Sequence, residues 1–275
     1  MNTENLRYLK DNLKYHGFGE KLYGELEQNI NAGMAGFQLR FNESLNGKSF
    51  EAVLNFRRGE GSDMYYFNSY AAKLDKGIKE NVEQTFYINK GKGITAKEAF
   101  NLLDGRSVYK ELANKEGVAY QAWVQLDPKV VDKNGNHILK QYHEHYGFDL
   151  GKSLVSLPVK ELATDEDRSR LIRSLERGNL QAVTFDRDGK SERMFLEANP
   201  QYKTLTVYDS GMKRVRKSEG QTTAREKTVE QKETTPKETA GKSADKKSER
   251  KIKTGNKETG LLPKKRTNLK KGLVQ

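Results

Sequence analysis

The sequence predicts an α+β fold with N-terminal helices, a mostly antiparallel sheet, a second small α+β module and a disordered basic C-terminal tail. Apolar residues recur first at helical spacing and then at every second position between turn signals. All 25 aromatic residues lie at or before Tyr208. Because a highly charged segment without aromatic residues cannot bury a core, the chain beyond that point is expected to be disordered.

Two helices and four strands are expected in the first 90 residues. The helical stripes are Leu6, Leu9 and Leu13, ended by Gly17, and then Leu22, Leu26 and Ile30. The strand segments alternate apolar and polar residues around an Asn46-Gly47 turn and a break at 59–63, and they are 37–41, 50–57, 64–71 and 84–89. Short turns of this kind favour antiparallel neighbours.

The middle of the chain is expected to begin with a helix that runs through Leu103. Thr95 and Glu98 form a capping box, in which each side chain satisfies a backbone donor at the start of that helix. The elements predicted after it are a short helix at 108–115, a strand at 120–126 that Pro128 ends, a strand at 138–146 and a short helix before Pro158.

Three parts of the chain are predicted. Residues 1–163 form an α+β domain, 164–216 a small module of one helix and three strands, and 217–275 a disordered Lys-rich tail. Thr164 marks the start of the module, because it is a good N-cap residue and three acidic residues follow it.

Charge is divided unevenly along the chain. Residues 1–210 carry 30 Lys and Arg against 30 Asp and Glu, whereas 211–275 carry 20 against 8, so the formal charge of +12 belongs to the tail. The mixed segment 217–258 is interpreted as a solvated linker. The segment 261–275 has no acidic residue and is predicted to bind nucleic-acid phosphates without sequence preference, through Lys264, Lys265, Arg266, Lys270 and Lys271.

Several classes of function are disfavoured by composition. The chain has no cysteine, which excludes disulfides, thiolate nucleophiles and Cys-ligated metal sites. It also lacks an apolar stretch long enough for a membrane span, and residues 1–10 do not look like a signal peptide. A cytoplasmic protein with no membrane partner is therefore expected.

Two motifs have features of a cofactor or metal site, and neither is predicted to be one. The segment from Gly91 to Ala96 matches the pattern GxGxxA, but a dinucleotide site needs a parallel βαβ unit and the sheet here is expected to be antiparallel. His143 and His145 would share one face of a strand, which by itself gives too few ligands for a metal. No nucleophile motif is present, so no catalytic residue is assigned.

One aromatic cluster allows two interpretations. Tyr65, Tyr66, Phe67 and Tyr70 lie between Arg57, Arg58 and Lys73, and such a cluster can stack the bases of single-stranded nucleic acid. Strands also bury aromatic side chains in their own core. The neutral charge of this part of the chain favours core packing.

Four segments resemble a family of proteins that conjugative and other mobile elements of Bacteroides-type bacteria carry. They are EAVLNFRR at 51–58, TFYINKG at 85–91, ITAKEAFNLLDGRSVYKEL at 94–112 and YQAWVQLD at 120–127. The resemblance covers about residues 1–210, and 171–208 is similar to a small domain of unknown function that recurs on such elements. It implies a context among DNA-processing genes, and no activity or functional residue.

The expected function is therefore a non-enzymatic accessory protein of a mobile genetic element that associates non-specifically with nucleic acid through its basic tail, with DNA favoured over RNA. Another protein encoded by the element is a further expected partner. One alternative is a protein-binding adaptor or counter-defence protein without a nucleic-acid role. A second alternative is a metal-dependent enzyme that uses His143 and His145.

Overall fold

The computed structural model describes residues 2–77, 82–114, 116–187 and 189–215, and all of them belong to one compact unit. Five α-helices and ten strands in three antiparallel sheets make up this part of the chain. The α+β prediction is thus confirmed. The tail predicted at 217–275, with its five basic residues at 264–271, lies outside the described residues.

Sheet 1 and the helices that cover it come first along the chain. The strands β1 to β4 are consecutive antiparallel neighbours. The helices α1 and α2 precede them, and α3 follows them. Their bounds are α1 Thr3–Tyr15, α2 Tyr23–Asn31, β1 Gly36–Leu45, β2 Lys48–Arg58, β3 Tyr65–Leu74, β4 Val82–Tyr87 and α3 Ala96–Leu103.

The remaining strands form two three-stranded sheets. Sheet 2 has the order β5-β6-β7, and sheet 3 has the order β10-β9-β8, with α4 and α5 between them in the chain. Their bounds are β5 Val108–Ala113, β6 Ala119–Val131, β7 His137–His143, α4 Leu150–Val155, α5 Asp165–Glu176, β8 Gln181–Arg187, β9 Lys190–Asn199 and β10 Thr204–Tyr208.

Sheet 2 lies between two hydrophobic cores. Val124 on β6 packs into the first core, which α1 to α3 and one face of sheet 1 build. Its neighbour Trp123 points the other way, into a second core with α4, α5 and sheet 3. Adjacent residues of a strand point to opposite faces, so this single strand contributes to both cores.

Polar contacts fix α3 against the turn that follows α5. The Asn101 side-chain amide donates to the Arg177 carbonyl at 2.7 Å, and Arg106 Nε donates to the Gly178 carbonyl at 2.9 Å. The predicted small module therefore docks on the preceding part of the chain. Whether the two parts divide at residue 163 as separate domains stays a prediction.

Three predictions about the middle of the chain were wrong in detail. Residues 108–113 form β5 instead of a helix, because they pair with β6 along their whole length. Pro128 does not end its strand: the β6–β7 register shifts between Leu126 and Val131, and this irregularity accommodates the missing amide. The strand predicted at 138–146 is shorter: β7 ends at His143, and a 3₁₀ turn follows it at Glu144–Tyr146.

None of the helices in the described ranges is long and apolar enough to span a bilayer.

Candidate nucleic-acid interface

Sheet 1 has one covered face and one open face. Its inward residues, such as Leu39, Leu54 and Tyr70, are fully buried under the helices. The opposite side is called here the outer face, and each of its residues is exposed or only half-buried in the described structure. They are Gly36, Gln38, Arg40 and Asn42 on β1, Glu51, Val53, Asn55 and Arg57 on β2, Tyr66, Ser69, Ala71 and Lys73 on β3, and Glu83, Thr85 and Tyr87 on β4.

The strand register arranges these residues in rows across the sheet. In the first row Arg57 pairs with Gly36 on one side and Tyr66 on the other. Because glycine has no side chain, nothing on β1 stands beside the Arg57 guanidinium in that row. In the second row Gln38 donates to Asn55 at 2.9 Å, and Asn55 donates to Ser69 at 3.3 Å. This polar row continues to Tyr87 on β4.

Two exposed tyrosines lie on the outer face. The exposed fraction is 48% for Tyr66 and 61% for Tyr87, although both lie within regular strands. The register places them on neighbouring strands, one row apart, so their Cα atoms are about 8 Å from each other. Two aromatic rings are therefore available to solvent on adjacent strands.

The arginines of the outer face have no acidic partner in the part of the chain that the structure describes. Neither Arg40 nor Arg57 forms an ion pair with any described residue. The acidic residues of this face lie in its last row, where Glu51 and Glu83 flank Lys73. The face is thus basic and aromatic at one end and mixed in charge at the other.

The cluster weighed as a stacking surface is divided between the two faces of sheet 1. Tyr65, Phe67 and Tyr70 are buried, and the hydroxyl of Tyr70 donates to the Ile94 carbonyl at 2.6 Å. Core packing is thus confirmed for these three residues. Tyr66 alone points outward, and its exposed partner Tyr87 was not identified from sequence. Buried and exposed residues alternate along β4, so the sequence could have indicated that Tyr87 points outward next to the buried Phe86.

A hollow of about 580 Å³ borders the first row. The turn between β2 and β3 lines it, together with Gly33, Ala35, Arg57 and Arg58. Arg58 is engaged there, because its Nε donates to the Ser62 carbonyl at 2.8 Å. Glu60 and Asp63 lie on the same turn, so the formal charges of Arg57 and Arg58 are balanced at this rim.

The glycine motif at 91–96 is a strand-to-helix turn. Gly91 has φ of +88°, and a Cβ on Gly93 would lie 2.3 Å from the Tyr87 carbonyl oxygen, so both positions need glycine for chain geometry. The helix start behind them is satisfied by the Thr95–Glu98 capping box. The strands before and after the motif, β4 and β5, belong to two different antiparallel sheets, whereas a dinucleotide fold needs them in one parallel sheet.

The histidines do not converge. His143 ends β7 and packs its ring 5.2 Å from Tyr120, while His145 lies in the following 3₁₀ turn. The expectation that both share one strand face was therefore wrong. His137 Nδ1 lies 3.0 Å from the Asp127 carbonyl oxygen. Within the described ranges no three His, Asp or Glu side chains are grouped as metal ligands would be.

A second cleft, of about 490 Å³, lies beside β5 and the end of α5. Its charges largely satisfy one another: Lys110 pairs with buried Glu98 at 2.9 Å, and Lys92 pairs with Glu111 at 2.7 Å. Burial raises the pKa of Glu176, which lines the same cleft. The other two carboxylates that line the cleft, Glu98 and Glu111, are the ones already paired with Lys110 and Lys92.

The phosphate-binding residues predicted from sequence, Lys264, Lys265, Arg266, Lys270 and Lys271, lie outside the described residues. Comparison with known proteins adds no identity: no family model, curated protein or solved structure matches this chain.

Proposed function

We propose that this chain is a non-enzymatic accessory protein of a mobile genetic element that associates non-specifically with nucleic acid through its basic C-terminal segment. The observation that carries the proposal is the division of charge, with an excess of 12 basic residues confined to 211–275. A chain of closely spaced cations displaces the counterions that are condensed on a polynucleotide. The release of those ions drives association without reading the sequence.

The resemblance of residues 1–210 to proteins of Bacteroides-type mobile elements supports the rest of this proposal. It favours DNA over RNA as the partner and allows for a second protein encoded by the same element. The absence of cysteine from the whole sequence is compatible with a reducing cytoplasm, which we propose as the location.

The acid-free cluster is tested in the full-length chain by changing Lys264, Lys265, Arg266, Lys270 and Lys271 to Gln. A matched control changes Arg225, Lys227, Lys232, Lys237 and Lys242, which are also four Lys and one Arg but alternate with acidic residues. Fluorescence anisotropy with labelled DNA and RNA measures the affinity of each. If the cluster binds phosphates, its variant loses more affinity than the control variant.

Equal losses in the two variants would show that only total charge matters, and unchanged binding in the cluster variant would contradict a role for the cluster. The logarithm of the binding constant falls with the logarithm of salt concentration by about 0.7 for each phosphate contacted on a single strand. The cluster variant is therefore expected to reduce this slope by up to about 3.5.

The balanced charge of residues 1–210 favours a second candidate, an adaptor or counter-defence protein that binds another protein through this part of the chain. In that case the variants above bind nucleic acid as weakly as the unchanged chain does. A pull-down with the element's other proteins then retains the same partner when 219–275 is deleted, since this deletion removes none of the described residues.

A further inference from the structure

The outer face of sheet 1 combines two groups that nucleic-acid surfaces use together. Aromatic rings stack on bases, and unpaired arginines contact phosphates or stack on bases themselves. Tyr66 and Tyr87 supply exposed rings on neighbouring strands, and Arg57 and Arg40 supply guanidinium groups without a described acidic partner. A single exposed tyrosine is ordinary for a protein surface, but this combination on one face is not.

The same face is poorly suited to a protein partner. Stable protein interfaces have an apolar centre that is fully buried on association. Here the central row consists of Arg40, Val53, Ala71 and Thr85, of which only two are apolar and both are small and already half-buried. The polar row beside it is linked by hydrogen bonds through Asn55. Apart from the rings of Tyr66 and Tyr87, little apolar area is left on this face for a protein to cover.

A single strand fits this face better than a duplex does. Bases in a duplex already stack on each other, so their flat faces are not accessible to a protein, whereas a single strand can offer them. Four strands spaced about 4.8 Å apart give a surface about 14 Å wide. This is enough room for more than one base next to Tyr66 and Tyr87.

We propose that the outer face of sheet 1 is a stacking platform for single-stranded nucleic acid, on which Tyr66 and Tyr87 stack bases and Arg57 and Arg40 contact the backbone. The proposal rests on the function proposed above and adds to it: the C-terminal segment contacts phosphates of any nucleic acid, and the platform provides a preference for single strands.

The distribution of acidic residues sets the direction of the bound strand. Glu51 and Glu83 occupy the last row of the face, whereas beyond the first row Glu60 and Asp63 are offset by Arg57 and Arg58. A polyanion that ran along the protein strands would pass over the two glutamates of the last row. It therefore crosses the sheet over the first three rows, nearly perpendicular to β2 and β3.

The test compares two double variants of the full-length chain that remove the same groups. Y66A/R57Q changes the outer face. Y8A/R7Q changes α1, where Tyr8 has a similar exposed fraction of 53% and both side chains point away from the buried stripe of the helix. Binding of each to an oligothymidylate, an oligouridylate and a DNA duplex of equal length is measured by fluorescence anisotropy at a fixed salt concentration.

The expected result is that Y66A/R57Q binds both single strands about tenfold more weakly, which corresponds to about 1.4 kcal/mol, and binds the duplex as before. The control variant binds all three like the unchanged chain. Y87A/R40Q, on the neighbouring strands, is expected to behave like Y66A/R57Q. Unchanged thermal melting of all variants shows that the fold is retained.

Two results would overturn the platform and leave the proposed function intact. One is that Y66A/R57Q and Y87A/R40Q keep full single-strand affinity while the variant of Lys264, Lys265, Arg266, Lys270 and Lys271 loses it. The other is an equal loss for single strand and duplex, which would mean that only phosphate charge is read. Failure of the unchanged chain to bind any of the three oligonucleotides would instead remove the proposed function, and the platform with it.

Discussion

At the scale of single residues, Thr95 stabilises both the start of α3 and the buried carboxylate of Glu98. Its backbone N–H donates to Glu98 Oε2 at 2.8 Å, and its Oγ1 accepts from the Glu98 amide at 3.3 Å. Glu98 is buried and also pairs with Lys110. One hydroxyl thus holds the start of α3 and keeps a buried carboxylate in place.

The change Thr95→Ala is expected to lower the free energy of unfolding by about 1–2 kcal/mol, measured by urea denaturation, because the cap bond is lost together with the bond that Oγ1 donates to Glu98 Oε2 at 3.0 Å. Thr164→Ala is the matched control. The Oγ1 of Thr164 accepts from the Asp167 amide at 3.2 Å and donates to the carboxylate of the same residue, but this carboxylate is half-exposed. A larger loss for Thr164→Ala than for Thr95→Ala would contradict this account of α3.

His16 is expected to make stability depend on pH. Burial lowers its pKa from the usual 6.5, against the opposing effect of a hydrogen bond to the Asn12 carbonyl. The unfolded chain then takes up a proton at a pH where the folded chain does not. The free energy of unfolding is therefore fully retained above about 6.5 and falls as the pH is lowered from there towards the folded-state pKa.

The variant His16→Asn tests this dependence, since its amide can donate to the same carbonyl and does not titrate. Urea denaturation between about pH 5 and pH 8 is expected to show a smaller loss of stability on acidification for the variant than for the unchanged chain. Parallel curves for the two proteins would assign the acid sensitivity to other groups.

At the scale of elements, the turn after α5 depends on a residue without a side chain. Gly178 has φ of +78°, and an added Cβ would lie 2.7 Å from the Ser107 carbonyl oxygen. Gly135 has a similar φ of +82° with open space around it. Gly135→Ala should cost about 1–2 kcal/mol of unfolding free energy from the left-handed backbone alone.

Gly178→Ala should cost about 1–3 kcal/mol more than Gly135→Ala, because it also pushes α5 away from the segment between α3 and β5. Urea denaturation of both variants gives the comparison. Equal costs would mean that the contact between the small module and α3 adjusts without loss, and that this interface contributes less than the hydrogen bonds of Asn101 and Arg106 suggest.

Element boundaries were predictable where local chemistry decides them. The Asn46-Gly47 turn, the capping box at Thr95 and the N-cap Thr164 all lie where the sequence indicates them. A short helix was predicted at 108–115, where Lys, Glu, Leu and Ala have a local preference for one, but residues 108–113 are a strand. They form β5 because pairing with β6 outweighs that weak local preference, and the pairing is a long-range contact that propensity does not contain.

The outer face of sheet 1 was only partly predictable from the sequence, because it also depends on long-range pairing between strands. Alternation along β3 separates Tyr66 from its buried neighbours once the strand is known. The nearness of Tyr66 to Tyr87, and of Arg57 to Gly36, depends on the register between strands. Register follows from the packing of the whole sheet, which short sequence patterns do not specify.

At the scale of the whole molecule, two parts of the chain have different tasks in this account. A folded unit of balanced charge presents one open sheet face, and a segment with 20 basic and 8 acidic residues follows it. Sheet 2 connects the two cores of the folded unit through adjacent residues of β6. The face and the basic segment belong to one chain, so binding by either raises the local concentration of the other near the same polynucleotide.

The proposed association with nucleic acid is tested most directly by the affinity of the full-length chain for a single-stranded oligonucleotide and for a duplex of equal length. This affinity is measured by fluorescence anisotropy from about 50 to 200 mM salt. The account predicts binding to both that weakens steeply with salt, and tighter binding to the single strand throughout. Absence of binding at the lowest salt, or an affinity that does not change with salt, would contradict the proposal that this protein associates with nucleic acid through its basic segment.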